Sequence, residues 1–234
     1  MMSAFHFNPV RLTFVCLGWC LIASPSALAQ TEFFTSGERL VAGSIFTQRG
    51  EDLEAVGLEI EVAPSSRVAF SLGYGHSDPD YSSEPVGSAD SWEITTWGGG
   101  IMAYPLRQRE DGPLTLGIGL GGGYTTSNVT FVYPDFVERI DDSLITLQAT
   151  VLAARVLTQA ESPVQAVLQA QTGTAMLLGV SDITYAQTLG AGLGIGVAVT
   201  PRVFVFLEPS AILTISGSET ASTLNGAIGL ARTF

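Results

Sequence analysis

The chain has no lysine: its ten basic residues are all arginine. A Schiff-base lysine and the lysine of a phosphate-binding P-loop are therefore both excluded. Cysteine is confined to Cys16 and Cys20 and histidine to His6 and His76, so the usual Cys and His zinc sites cannot be assembled beyond the N-terminal segment. Charged residues make up only 14% of the chain, against roughly 25% in an ordinary soluble protein. That scarcity favours a membrane environment. Acids outnumber arginines 22 to 10, for a net charge of −12, a balance that argues against nucleic acid as a partner.

What is abundant is apolar residues, 46% of the chain, and glycine, 26 residues in all. Part of the apolar excess lies at the N-terminus. Arg11 precedes the apolar run from Leu12 to Ala23, Ser24-Pro25-Ser26 follows, and Ala27-Leu28-Ala29 supplies the small-x-small pattern of a signal-peptidase site. The run is shorter than the ~20 residues of a spanning helix. Residues 1–29 are thus expected to be a cleaved signal peptide and residues 30–234 one exported domain. Both cysteines fall in the leader, and bulky Trp19 before Cys20 argues against a lipoprotein site.

The rest of the chain follows a two-residue period. Val68, Phe70, Leu72 and Tyr74 alternate with Ala69, Ser71, Gly73 and Gly75; Ile195, Val197 and Val199 alternate with Gly194, Gly196 and Ala198. Strict alternation of this kind means β-strand. Ten strands are expected, at about 38–48, 53–63, 67–77, 91–104, 113–126, 143–157, 164–178, 183–199, 202–214 and 221–234. They are of the longer kind needed for a membrane-spanning strand, ~9 to 11 residues or more, rather than the ~5 to 6 of a soluble one. Every second connection is compact and carries proline or arginine, as in Pro64 to Arg67 and Pro201-Arg202. The intervening ones include two long loops, Ser77 to Asp90 and Ser127 to Asp142. Short turns on one side and longer loops on the other mark bacterial outer-membrane barrels, whose strand number is even. The expected fold is an all-β, closed antiparallel transmembrane barrel of ten strands, with eight as the alternative. Backbone groups left unpaired in hydrocarbon cost several kcal/mol each, so the sheet must close.

Facing follows from the same parity. Trp92 and Tyr104, on the presumed outer face of strand 91–104, bracket a span of roughly 30 Å along the membrane normal, the spacing of two aromatic girdles. Glu59, Glu61, Glu93 and Glu208 fall on presumed inner faces, with Arg39 and Arg155 as candidate partners. A buried charge needs such a partner. Most other acids, among them Glu51, Asp52, Asp78, Asp80, Asp135, Asp141, Asp142 and Asp182, fall in the expected outer loops. Hydration of an exposed surface and weak divalent-cation binding are the two readings of that acidic rim.

At the C-terminus, Leu224, Gly226, Ile228, Leu230 and terminal Phe234 share one face, with small residues opposite. A last strand ending in Phe resembles the assembly signal of Gram-negative outer-membrane barrels. With the leader and the turn pattern, residues 30–234 resemble the small outer-membrane β-barrel family typified by the transmembrane domain of outer membrane protein A and its porin-like relatives. Arg232 departs from that pattern, which has an apolar residue there. The resemblance implies an outer-membrane location, recognition of Ile228, Leu230 and Phe234 by the barrel assembly machinery, contact with outer-membrane lipid and lipopolysaccharide, and no cofactor.

Three functions stay open at this point. A non-enzymatic barrel with a structural or surface-interaction role is the first, a narrow porin for small solutes or cations the second. The third is an enzyme acting on lipid or peptide through His76, which sits where a strand meets a long loop in His76-Ser77-Asp78. Gly117-Ile118-Gly119-Leu120-Gly121-Gly122 satisfies G-x-G-x-x-G, but no helix follows and the strand period continues through it. Nucleotide binding is not expected.

Overall fold

The computed structural model describes residues 39–50, 54–77, 89–108, 113–132, 137–157, 164–178, 185–217 and 219–234. The expected leader and the cleavage after Ala29 lie outside them. Ten strands follow in chain order: β1 (Leu40–Arg49), β2 (Glu54–Ser65), β3 (Val68–Ser77), β4 (Ala89–Leu106), β5 (Thr115–Val132), β6 (Val137–Val156), β7 (Val164–Leu178), β8 (Tyr185–Thr200), β9 (Val203–Ser216) and β10 (Glu219–Thr233). Each pairs antiparallel with its sequence neighbours, and β1 pairs with β10 to close the barrel. Closure runs to the chain end, where the Phe234 amide donates to the Arg39 carbonyl at 2.9 Å.

The register defines the barrel's dimensions. A row of paired residues leaving β6 at Ile145 passes Tyr124, Trp97, Tyr74, Leu58, Ile45, Ile228, Leu207, Ile195 and Ala166, and returns to β6 at Arg155, ten residues further along. With ~3.3 Å rise per residue and ~4.8 Å between strands, that stagger over ten strands tilts each strand by about 35° and gives a backbone radius of about 9.5 Å. Each residue then climbs about 2.7 Å along the barrel axis.

Alternation sorts the side chains as the period demands. Ile45, Leu58, Ile60, Leu72, Ile118, Leu120, Leu147, Val151, Leu193, Ile195 and Ile228 are exposed on the outer wall, while their sequence neighbours point into the lumen. On β6 the outward row Ile145, Leu147, Ala149, Val151 and Ala153 ends at Arg155 on one side and at Ser143 and Asp141 on the other. Ten residues separate Ile145 from Arg155, about 27 Å along the axis, close to the ~25 Å apolar band of outer-membrane barrels.

Two expectations are corrected. The segment 127–142 is not a long loop: β5 runs on to Val132 and β6 starts at Val137, because β-branched and aromatic residues continue through Val129-Thr130-Phe131-Val132. Glu138, Asp141 and Asp142 therefore stand on a strand. This hairpin rises eight residues above the Tyr124–Ile145 pair, about 22 Å past the apolar band. The facing of β4 is also inverted. Ile94, Met102 and Tyr104 are buried in the lumen, and Glu93 and Trp97 are exposed on the outer wall. Both faces of β4 carry bulky apolar residues and three glycines fill its centre, so parity alone could not tell inside from outside.

Glycine on the inner wall sets how close lumen side chains come. A Cβ at Gly57 would overlap the Phe46 ring and the Tyr74 carbonyl, whereas at Gly43, on the lipid side, it would meet only the Glu59 carbonyl oxygen at 3.9 Å. Gly57→Ala is therefore expected to destabilise the folded barrel by about 2 to 3 kcal/mol, the scale of overpacking, and Gly43→Ala by less than about 0.5 kcal/mol. Urea titration in lipid vesicles, read by heat-modifiable gel mobility, measures both.

Candidate functional site

The lumen is the natural place to look for function, and it is built in tiers. At the end carrying Arg39, Phe234 and the short turns, Leu40, Ala42, Ala63, Ala69, Met102, Tyr104, Leu152, Ala154, Val167, Ala198, Phe204, Phe206 and Ala231 form one buried apolar cluster. Nine strands supply it. The tenth, β5, contributes room: a Cβ at Gly117 would lie 2.9 Å from Leu152 Cγ and 3.1 Å from Tyr104 Cε1, and one at Gly119 would lie 2.7 Å from Met102 Cε. The glycines of the nucleotide-like motif thus seat the largest side chains of a plug.

Polar residues seal the plug from below. The Arg107 guanidinium lies 5.1 Å from the Tyr104 ring centroid and is itself buried, a cation–π contact. Arg67 Nη1 donates to the Pro105 carbonyl at 3.0 Å. The Gln108 backbone amide donates to Thr115 Oγ1 at 2.9 Å, and the Gln108 side-chain Oε1 accepts from the Val156 amide at 2.8 Å. The turn between β4 and β5 is thereby tied to β5 and β6 across the base of the barrel.

Above the plug the lumen turns acidic and then neutral polar. Glu61 is 2% exposed, and Glu59 and Glu208 are buried near it, close enough to act on it electrostatically. Ser44 is the register partner of Glu59, and Ser71 that of Glu61. Gln48, Gln148 and Gln171 point inward, and Gly190 and Gly192 of β8 leave space for the Gln171 and Gln169 side chains. Toward the opposite rim a threonine tier includes the 2.8 Å bond between the Thr96 and Thr125 hydroxyls.

Three of the four carboxylates expected inside, Glu59, Glu61 and Glu208, are brought together there. Glu93 is not: it faces outward, 3.9 Å from His76 Nδ1. The candidate partners are also elsewhere, since Arg39 and Arg155 are exposed at the plugged end. Arg232 faces outward as well, its guanidinium 5.0 Å from the Phe234 ring centroid, where its stem can lie along lipid with the charge at the interface. Ile228, Leu230 and Phe234 are exposed in one outward row.

The expected girdle pair does not hold. Tyr104 belongs to the plug, and the side chain of Trp92 lies outside the described residues. A girdle instead runs across β3, β4 and β5, where Tyr74, Trp97 and Tyr124 are consecutive register partners on the outer wall. The Tyr74 and Trp97 rings are 4.5 Å apart, and the Tyr124 hydroxyl hydrogen-bonds Ser143 Oγ at 2.9 Å. An apolar ring with a polar tip suits the boundary between hydrocarbon and headgroups. Sequence reading passed over these residues because a girdle is a row across strands, and only the register shows which positions share a level.

Among the described residues no group of three or more His, Cys, Asp or Glu side chains is placed to hold a metal ion. Of the acids of the expected outer rim, those of segments 51–53, 78–88, 133–136 and 179–184 lie outside the described residues.

A closed, ten-stranded barrel with an apolar outer band and an aromatic girdle is a transmembrane β-barrel of the bacterial outer-membrane type. No protein-family model matches the sequence, and no curated protein is similar to it. Among solved structures, the chain is similar to the beta domain of the Bordetella autotransporter BrkA, at 12% identity over 86% of this chain and 100% of that one, with a TM-score of 0.53. It is also similar to the outer membrane protease OmpT of Escherichia coli, at 9% identity over 88% and 100% of the chains and a TM-score of 0.46. A third similarity is to the N-terminal β-barrel domain of Pseudomonas aeruginosa OprF, at 13% identity over 83% and 97%, with a TM-score of 0.36. The likeness to the BrkA beta domain shows a shared fold and nothing of activity.

The girdle predicts where Trp97 sits in a bilayer. In a Trp92→Phe variant lacking the leader, fluorescence of the remaining Trp97 should be quenched more strongly by lipids brominated near the headgroup than by lipids brominated near the chain ends. Stronger quenching by the deep bromines would place the girdle wrongly.

Proposed function

We propose that this protein is a non-enzymatic outer-membrane barrel with a closed lumen and a structural or surface-interaction role. The observation that supports this reading is the plug. Leu40, Met102, Tyr104, Leu152, Phe204 and Phe206 are each no more than 3% exposed, and side chains or glycines from every strand take part in it. A barrel about 9.5 Å in backbone radius is small enough for its own side chains to fill. A porin would need a continuous polar path where this apolar tier stands.

The wall on the opposite side suits a surface role. β4, β5 and β6 are 18, 18 and 20 residues long, against 10 for β1 and β3. They project well past the girdle and present Glu93, Asp141 and Arg139 outward, Arg139 Nε donating to Asp141 Oδ1 at 2.9 Å. Outer-membrane lipid and lipopolysaccharide are the partners nearest to that wall, and the outward row of Ile228, Leu230 and Phe234 suits recognition by the assembly machinery.

Planar-bilayer recording tests the closed lumen. Wild-type protein is expected to give no discrete conductance steps, and a Met102→Ala/Tyr104→Ala/Phe206→Ala variant, which removes three plug side chains, is expected to give them. Steps from the wild type would reject the reading in favour of a narrow porin. The enzyme reading has its own check: lipid A from cells expressing the wild type should have the same mass spectrum as lipid A from cells expressing His76→Ala. A difference would make His76, with Glu93 beside it, a reactive pair.

A further inference from the structure

Arginine is spread unevenly over the barrel, and its partners differ sharply from one position to the next. At the plugged end Arg67 Nη1 donates to the Pro105 carbonyl at 3.0 Å, and Arg107 lies over the Tyr104 ring. Arg39, Arg155, Arg202 and Arg232 stand at the same end, all four exposed, and among the described residues none has an ion-pair partner. No acid of the described residues faces outward beside them. Glu59, Glu61 and Glu208 point into the lumen, and the other acids of the described strands stand toward the opposite rim.

Three of the four gather where the ring of strands closes. Arg232 on β10 is the register partner of Val41 on β1 and of Val203 on β9. Arg39 lies two residues before Val41 and is bonded through its amide and carbonyl to Phe234, while the Arg202 carbonyl, one residue before Val203, accepts from the Thr233 amide at 3.0 Å. Paired Cα atoms are about 5 Å apart, so three long cationic side chains leave adjoining strands within two residues of one another. Height follows from the stagger, since each strand crossed along a register row drops about 2.7 Å, as does each residue along a strand. From Ile228, four strands lead to Arg155 and four residues to Arg232. Both therefore stand level at the border of the apolar band, with Arg39 about 3 Å beyond it.

We propose that the seam of β9, β10 and β1 binds the phosphodiester headgroup of an anionic phospholipid of the periplasmic leaflet, held by Arg39, Arg202 and Arg232. Short turns mark the periplasmic end of such barrels. The ligand class follows from charge and position. Guanidinium bonds two phosphate oxygens at once, and unpaired cations at the border of hydrocarbon lie at the level of lipid phosphates. Val41 and Leu230, exposed on the wall just above, supply apolar surface for the acyl chains, which a free anion does not need. A headgroup shared by the three arginines also ties β1 to β10, the pair that closes the barrel. The site is independent of whether the lumen is closed.

Native mass spectrometry of the folded protein in neutral detergent tests the site. Phosphatidylglycerol and phosphatidylcholine with identical acyl chains are offered in equal amounts. Each basic residue near an anionic lipid contributes about fivefold in affinity, so the wild type should prefer phosphatidylglycerol by on the order of a hundredfold for three arginines. Arg39→Gln/Arg202→Gln/Arg232→Gln should bring the two lipids to equal retention, and Arg49→Gln/Arg139→Gln, at the opposite rim, should leave the preference intact. Equal retention by the wild type overturns the proposal, as does a preference that survives the triple variant or that falls as far in the opposite-rim variant. If the triple variant does not fold, Arg232→Leu decides, because it introduces the apolar residue of the resembling family. It should lower the preference about fivefold, and an unchanged preference overturns the site. Dimethyl phosphate separates the lipid from a free phosphodiester: displacement of phosphatidylglycerol at an equal concentration overturns the assignment to lipid. Stronger retention of lipid A than of phosphatidylglycerol overturns the assignment to the periplasmic leaflet.

Discussion

Everything in this structure depends on the ring of backbone hydrogen bonds being closed. In hydrocarbon there is no water to satisfy an open strand edge, and each unpaired amide or carbonyl costs several kcal/mol. The β1–β10 pairing, continued to the Arg39–Phe234 pair, removes that edge. Once the ring is closed with a stagger of ten residues over ten strands, tilt and radius are no longer free, and the room inside is determined as well.

That room explains the pattern of small and large residues on the inner wall. A lumen this narrow cannot hold a bulky side chain at every inward position, so glycine, alanine and serine line much of it; the apolar plug fills one end, and Ile94 and Leu144 are buried nearer the other rim. Phe206 lies over Gly229 and Phe46 over Gly57, while Met102, Tyr104 and Leu152 occupy the space left by Gly119 and Gly117. The result is a barrel whose polarity changes along its axis: apolar at the end with the short turns, acidic above, then glutamine and threonine. Outside, the order is different. Exposed Arg155 and Arg232 stand at the plugged end, an aliphatic band lies in the middle, and the aromatic girdle of Tyr74, Trp97 and Tyr124 marks the far boundary.

Much of the fold was legible before any coordinates. The ten strands, the antiparallel closed barrel and most strand limits follow from a two-residue period and from turn residues. The period was clear wherever one face was aliphatic and the other small, as on β3 and β8. It failed on β4, where both faces carry bulky apolar residues because one half of the strand meets lipid on one side and the plug on the other. Glu93 and Tyr104 were misplaced for that reason. The long β5–β6 hairpin was missed because polar and charged residues above the membrane look like loop even when they continue a strand. Of the site, Glu59, Glu61 and Glu208 were readable as inward residues, but nothing in one dimension says that they share a level.

Sequence by itself determined the period, and with it strand number, antiparallel order and the lipid-facing residues of strands such as β3 and β8, because alternation is a local property of an extended chain. Tertiary structure alone decided which inward side chains meet. Register and stagger bring residues from strands far apart in sequence to one height, as with Leu40, Tyr104 and Phe204 in the plug. A level in a tilted barrel is set by pairing across every strand between two positions, and no single strand carries that information.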